Sequence, residues 1–190
     1  MNIAKSLNTV ATVCMAGFLA SEPTFALESS GPSYSFNGFG TLGAVYSDED
    51  QADFVSSWVL QPNGAGHTSE WHTGIDTKLG GQVNAQFNEQ FSAVLQVVVE
   101  RQEDNAWTPA IEWANIQYQL NDNFSLRLGR TVLAAFMVSD TRLVGYANPW
   151  IRGPQELYQI VPITNMDGLD AIYTLDFGDW RNSLQLTFGQ

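Results

Sequence analysis

The sequence predicts an all-β chain, specifically a transmembrane antiparallel β-barrel of which about seven strands are present. Three observations predict it. Long runs alternate apolar and polar residues with a period of two, connections alternate between long and short, and after residue 26 no apolar run reaches the roughly 20 residues that a spanning helix needs.

The N-terminus reads as an export signal. Lys5 supplies a basic start, Val10 to Ala20 is apolar, and Thr24-Phe25-Ala26 offers a cleavage site, with Ala20 as the alternative. Residues 1–26 are therefore expected to be removed, leaving 27–190 as one domain. Cys14 is the single cysteine and lies inside the apolar segment, with Val13 before it, which argues against a lipid-anchored cysteine. The mature part would be exported without a disulfide, and a closed barrel is one way to stabilise it.

The clearest alternation runs from Trp71 to Phe87. Trp71, Ile75, Leu79, Val83 and Phe87 fall on one face, and Asp76, Lys78, Gln82 and Asn84 on the other. That run far exceeds the usual strand of about 5–6 residues. Ser33–Ser47 repeats the design with Tyr34, Phe36, Leu42 and Tyr46 against Ser35, Asn37 and Thr41. Further strands are expected at Phe91–Arg101, at Ala110–Leu120, from Phe124, at Leu169–Phe177 and from Ser183.

Residues 48–70 and 139–166 form long connections and 102–109 a medium one, while 88–90, 121–123 and 178–182 are short. Outer-membrane barrels carry short periplasmic turns and long external loops. Aromatics gather at strand ends: Phe36, Phe87, Phe91, Tyr118, Phe124 and Phe177 near the short turns, and Tyr46, Trp71 and Trp107 near the long loops. They predict two interfacial girdles. No proline falls inside an expected strand, Pro109 standing at the start of one.

Parity places Asp76, Lys78, Gln82, Asn84, Gln96, Asn115, Gln117, Arg127 and Asp170 on the water-lined face. Arg130 breaks the scheme. Parity turns it toward lipid, where an arginine costs roughly 2–4 kcal/mol. A bulge at Gly129 is the expected remedy, turning Arg130 inward.

Charge excludes one class of partner. With 8 Lys+Arg against 20 Asp+Glu the formal charge is −12, so nucleic acid is not expected. His67 and His72 lack metal-ligand spacing, and neither His72 nor Ser139 sits in an activated-nucleophile motif, so neither cofactor nor enzymatic activity is expected. The acidic runs Asp48-Glu49-Asp50 and Glu103-Asp104 read as solvated outer surface in preference to divalent-cation sites.

Three segments carry a family resemblance: Phe36-Asn37-Gly38-Phe39-Gly40-Thr41-Leu42-Gly43, Leu126-Arg127-Leu128-Gly129-Arg130, and Val144-Gly145-Tyr146-Ala147-Asn148-Pro149-Trp150 leading to Asp167-Gly168-Leu169. Through them most of the mature chain resembles the Gram-negative outer-membrane porin family. The resemblance implies about sixteen strands, a homotrimer, contact with outer-membrane lipid and lipopolysaccharide, and passive diffusion of small hydrophilic solutes. It also implies that the third loop, after the fifth strand, folds into the pore, with basic wall residues facing acidic loop residues. On this chain the wall candidates are Lys78, Arg127 and, with the bulge, Arg130; the loop carboxylates are Asp140, Glu156 and Asp167. Arg142 and Arg152 share that loop, so its charge is mixed. Seven is an odd strand number, which predicts that these residues supply only part of a barrel. A solute-selective channel with a lumen site and a structural or adhesive barrel are the alternatives.

Overall fold

The computed structural model describes residues 11–16, 31–57, 61–158, 161, 163–178 and 180–190. Both expected cleavage positions, Ala20 and Ala26, lie outside the described residues, while Ala11–Ala16 of the expected signal pair with the edge of the main sheet.

The chain is all-β, and its main sheet is antiparallel and curled into a half-barrel. Its strands are β1 (Ala11–Ala16), β2 (Ser33–Tyr46), β5 (Trp71–His72), β6 (Lys78–Gln86), β7 (Phe91–Arg101), β8 (Trp107–Asn121), β9 (Phe124–Val132), β10 (Asn165–Phe177) and β11 (Trp180–Gly189). The order is β1-β2-β6-β7-β8-β9-β10-β11, with β5 also on β2. Two short strands, β3 (Asp53–Phe54) and β4 (Ala65–Gly66), pair inside the first long connection. The second holds two 3-10 turns, Ser139–Thr141 and Gly145–Ala147, and one α-helical turn, α1 (Gln155–Tyr158).

Alternation sets the two faces. Phe36, Leu42, Leu79, Leu128, Leu186 and Phe188 stand exposed on the convex face. The opposite parity brings Gln96 and Asp170 to the concave face, where they are buried. Two tight turns share one device. Asn88 Oδ1 accepts from the N–H groups of Gln90 and Phe91, and Asn121 Oδ1 accepts from those of Asn123 and Phe124. Beside these turns the convex-face rings meet in pairs, Phe91 with Tyr118 at 4.6 Å and Phe124 with Tyr173 at 6.2 Å.

Three expectations need correction. The run from Trp71 to Phe87 is not one strand: β5 and β6 are separate, with 73–77 out of the ladder. Between the pairs Val45–His72 and Thr41–Lys78 the second strand has two residues more than β2. That excess buries Ile75, expected on the convex face, in a cluster with Val45, Ala65 and Phe54. Next, Gly129 carries no bulge. Its pairing continues unbroken from Leu128 to Arg130 on both sides, so Arg130 stays on the convex face. A register shift lies one strand away between β7 and β8, where Glu112 is the extra residue. Finally, Pro109 is inside β8, paired with Val99, and not merely at its start.

Backbone conformation explains why Gly129 is glycine without a bulge. Its φ is +123°, a region L side chains rarely enter, and a Cβ there would stand 2.3 Å from the Ala114 carbonyl oxygen. Its partner Gly168 and that residue's partner Gly189 are equally tight, since a Cβ on either would stand 2.3 Å from a carbonyl oxygen of the neighbouring strand. Close backbone approach therefore joins β9 to β8 and β10 to β11 at this level of the sheet.

Candidate functional site

The polar concave face and the loop that crosses it form the candidate site. Register arranges the wall in rows. Thr41, Lys78 and Glu100 form one row, Phe39, Gly80 and Val98 the next, then Asn37, Gln82 and Gln96, then Ser35, Asn84 and Val94. Lys78 Nζ lies 3.9 Å from Glu100. Below it the amides form a directed chain. Gln96 Nε2 donates to Gln82 Oε1, Gln82 Nε2 to Asn84 Oδ1, and Asn84 Nδ2 to Ser35 Oγ, at 2.8–3.1 Å.

On β8, Gln117 Nε2 donates to Gln119 at 3.3 Å and Asn115 Nδ2 to the Arg130 carbonyl at 3.0 Å. On β9 and β10, Arg127 Nη2 meets Asp170 Oδ2 at 2.9 Å, and Gln185 donates to the same oxygen at 3.1 Å. Asp170 is fully buried, yet its Oδ1 has no protein partner, and neither has Arg127 Nε.

The connection 133–164 is folded by its own contacts. Asn148 Nδ2 donates to the carbonyls of Thr141 and Val144, and the Arg142 guanidinium donates to those of Tyr158 and Val161, at 2.9–3.1 Å. Burial lowers the Arg142 pKa, and nearby Glu100 and Glu112 offset part of that. Phe136 and Trp150 both pack against Tyr158.

This folded unit leaves β9 and reaches back across the concave face. Near β8, Thr164 Oγ1 and Asn165 Nδ2 donate to Glu112 at 2.8 and 3.0 Å. At β2, Gly145 packs so close to Thr41 that a Cβ would lie 2.8 Å from its Oγ1. At the β5–β6 break, the Arg152 guanidinium grips both oxygens of Asp76 and covers the Phe54 ring at 4.6 Å. The bulge that spoils the long strand thus places Asp76 under the loop.

The expected site residues divide as follows. Lys78, Arg127, Asp76, Gln82, Asn84, Gln96, Asn115, Gln117 and Asp170 share the concave face with the loop's Arg142 and Arg152. Asp140 lines a small cleft between loop and wall with Gln96, Glu112 and Arg142. Glu156, on α1, is exposed. Asp167 is not in the loop. It is in β10 on the convex face, where Arg130 Nε and Nη2 donate to its two oxygens at 2.8 and 2.7 Å. That pairing, together with donation to the Ile111 carbonyl at the bulge, accommodates Arg130 outside. The resemblance implied basic wall against acidic loop; the ion pair that ties loop to wall has the opposite polarity, Arg152 on the loop and Asp76 on the wall.

Sequence reasoning missed Glu112 and Phe39. Glu112 had no signal, since parity at the bulge is undefined. Phe39 had one: it shares parity with Asn37 and Thr41. Ser139 accepts from Phe136 N–H, while His72 contacts Gly74 and Arg101, and no hydrogen bond joins the two. Among the described residues no His/Cys/Asp/Glu cluster is placed to hold a metal ion.

The other long connection has its own anchor. Slight burial works to raise the Asp53 pKa, but hydrogen bonds from Thr68 Oγ1–H and from the N–H groups of Thr68 and Gly64 outweigh it and lower the pKa. A carboxylate depressed on folding stabilises the folded loop above its unfolded pKa, about 3.9, and that contribution fades as pH falls through the lower folded value. Hydrogen-exchange protection of the Gly64 and Thr68 amides, corrected for intrinsic rates, is expected to hold down to about pH 4 and to fall below it. In Asp53→Asn it should already be weak at neutral pH.

No family model matches this chain, and no curated protein or solved structure matches it either.

Proposed function

We propose that this chain forms part of the wall of a β-barrel channel in a Gram-negative outer membrane, through which small hydrophilic solutes diffuse passively. The observation that carries this reading is the contrast between the two faces. The convex face exposes Phe36, Leu42, Leu79, Leu128 and Leu186, interrupted by the paired Arg130 and Asp167. Such a surface is an aggregation hazard in water and a match for hydrocarbon. The concave face carries ion pairs and amides, with a self-folded loop laid across it.

On this reading the loop narrows a water-filled passage, and solutes pass down their gradient, limited by width and by the groups that line it. The convex face meets outer-membrane lipid and lipopolysaccharide. On this reading the outer edge of β11 is covered within the membrane, since unpaired backbone is not tolerated in lipid. A homotrimer follows from the family resemblance alone.

Planar-bilayer recording of the full-length protein tests this. Stepwise, voltage-independent conductance increments are expected. Stable insertion with no conductance would leave a structural or adhesive barrel in its place.

A further inference from the structure

Phe39 stands on the polar face, one row below the Lys78–Glu100 pair and one row above Asn37, Gln82 and Gln96. Its ring lies flat on the wall. A Cβ on Gly80 would be 2.2 Å from Phe39 Cζ and 2.6 Å from each Cε, distances met only directly above the ring's tip. Glycine at position 80 is what lets the ring lie down. One face rests on the backbone, and the side chain remains partly exposed to the concave space. The loop touches the wall one row higher, where Gly145 meets Thr41. The loop closes on the wall at that contact, so a solute moving along the rest of the concave face meets this ring one row below it.

The geometry points to a saccharide subsite on the wall, with Phe39 as its platform. A pyranose has an apolar face of C–H groups and a rim of hydroxyls that both donate and accept. A flat aromatic ring serves the first. Carboxamides serve the second, because each carries donors and acceptors at once, and the chain from Gln82 through Asn84 to Ser35 leaves unused capacity on every amide. The charges above the ring are paired, Lys78 with Glu100 and Asp76 with Arg152, so they offer hydrogen bonds without strong net attraction for a free ion. Two residues of rise, about 7 Å, separate neighbouring rows, which is the scale of one sugar unit. The inference rests on the reading of the concave face as the water-lined side of the wall.

The test uses the full-length protein in two formats, with maltotriose as probe. In planar bilayers the sugar should reduce ion current saturably. In detergent, calorimetry reads binding without any channel. In both, Phe39→Ala should raise the half-saturating concentration about tenfold, equivalent to about 1.4 kcal/mol. Gln82→Leu, which keeps the ring, should raise it as well. Phe36→Ala, on the opposite face of the same strand, should leave it unchanged. Conductance with no sugar effect overturns the subsite but not the channel. So does a half-saturation unmoved by Phe39→Ala, or equal saturation by open-chain sorbitol. Sugar binding that responds to Phe39→Ala without conductance upholds the subsite and removes the channel. Neither binding nor conductance removes both.

Discussion

Gly129→Val is expected to prevent the half-barrel from forming across β8, β9 and β10. Two costs coincide. At φ +123° a β-branched residue is strained by about 1–3 kcal/mol. Its Cβ would also stand 2.3 Å from the Ala114 carbonyl oxygen and 3.1 Å from the Asn115 Cα, and both are backbone atoms held in the ladder. Relief requires β8 and β9 to part, which exposes hydrogen-bonding groups on both. Against a total stability of about 5–15 kcal/mol, that is enough to unfold much of the population. The folded fraction, read by heat-modifiable gel mobility or by the β signal in circular dichroism, should drop severalfold. Gly81→Ala is the contrast, since a Cβ at Gly81 meets nothing within 4 Å. That variant should fold as the parent does.

The second large effect concerns the loop. Thr41→Cys with Gly145→Cys is expected to form a disulfide on oxidation. A Cβ at Gly145 lies 4.0 Å from the Thr41 Cβ, inside the range of about 3.5–4.5 Å that a disulfide spans. Cys14 is the single native cysteine, so its replacement leaves an unambiguous pair. A gel shift reversed by reductant, or mass spectrometry of the linked peptides, checks the bond. No bond under oxidising conditions would mean that the loop does not lie against β2. Arg152→Ala complements it. Removing one partner of a largely buried pair leaves Asp76 uncompensated, at up to about 3–5 kcal/mol. The loop should then swing away and unitary conductance should rise. With the disulfide in place, the same substitution should leave conductance unchanged.

Alternation made the two faces legible in the sequence, because side-chain direction follows directly from backbone pleat. Lys78, Gln82, Asn84 and Arg127 fall where parity puts them. Two short turns were legible too, and the repeated Asn-x-x-Phe of 88–91 and 121–124 is a stronger signal than brevity alone, whereas the turn expected at 178–182 is shorter because Trp180–Asn182 already pair in β11. What failed was everything that depends on a neighbouring strand. Nothing within Trp71–Phe87 reveals two residues more than β2 provides, so Ile75 and Asp76 were placed on an unbroken strand. Arg130 looked like a phase error because its partner, Asp167, comes 37 residues later. The bulge was assigned to Gly129 when the extra residue is Glu112 on β8. Loop polarity was beyond reach for the same reason, since Arg152 and Asp76 meet only through the fold.

The glycines paired across β9, β10 and β11 mark a level of the sheet where no side chain can stand without parting two strands. Strand spacing along it is set by backbone against backbone, with no side chain acting as spacer. The lining residues on either side, Thr131 above and Arg127 below, carry none of that burden. A wall built this way can exchange its lining position by position while its girth stays constant. On the proposed channel reading, what passes along it and how wide it stands become separately adjustable properties.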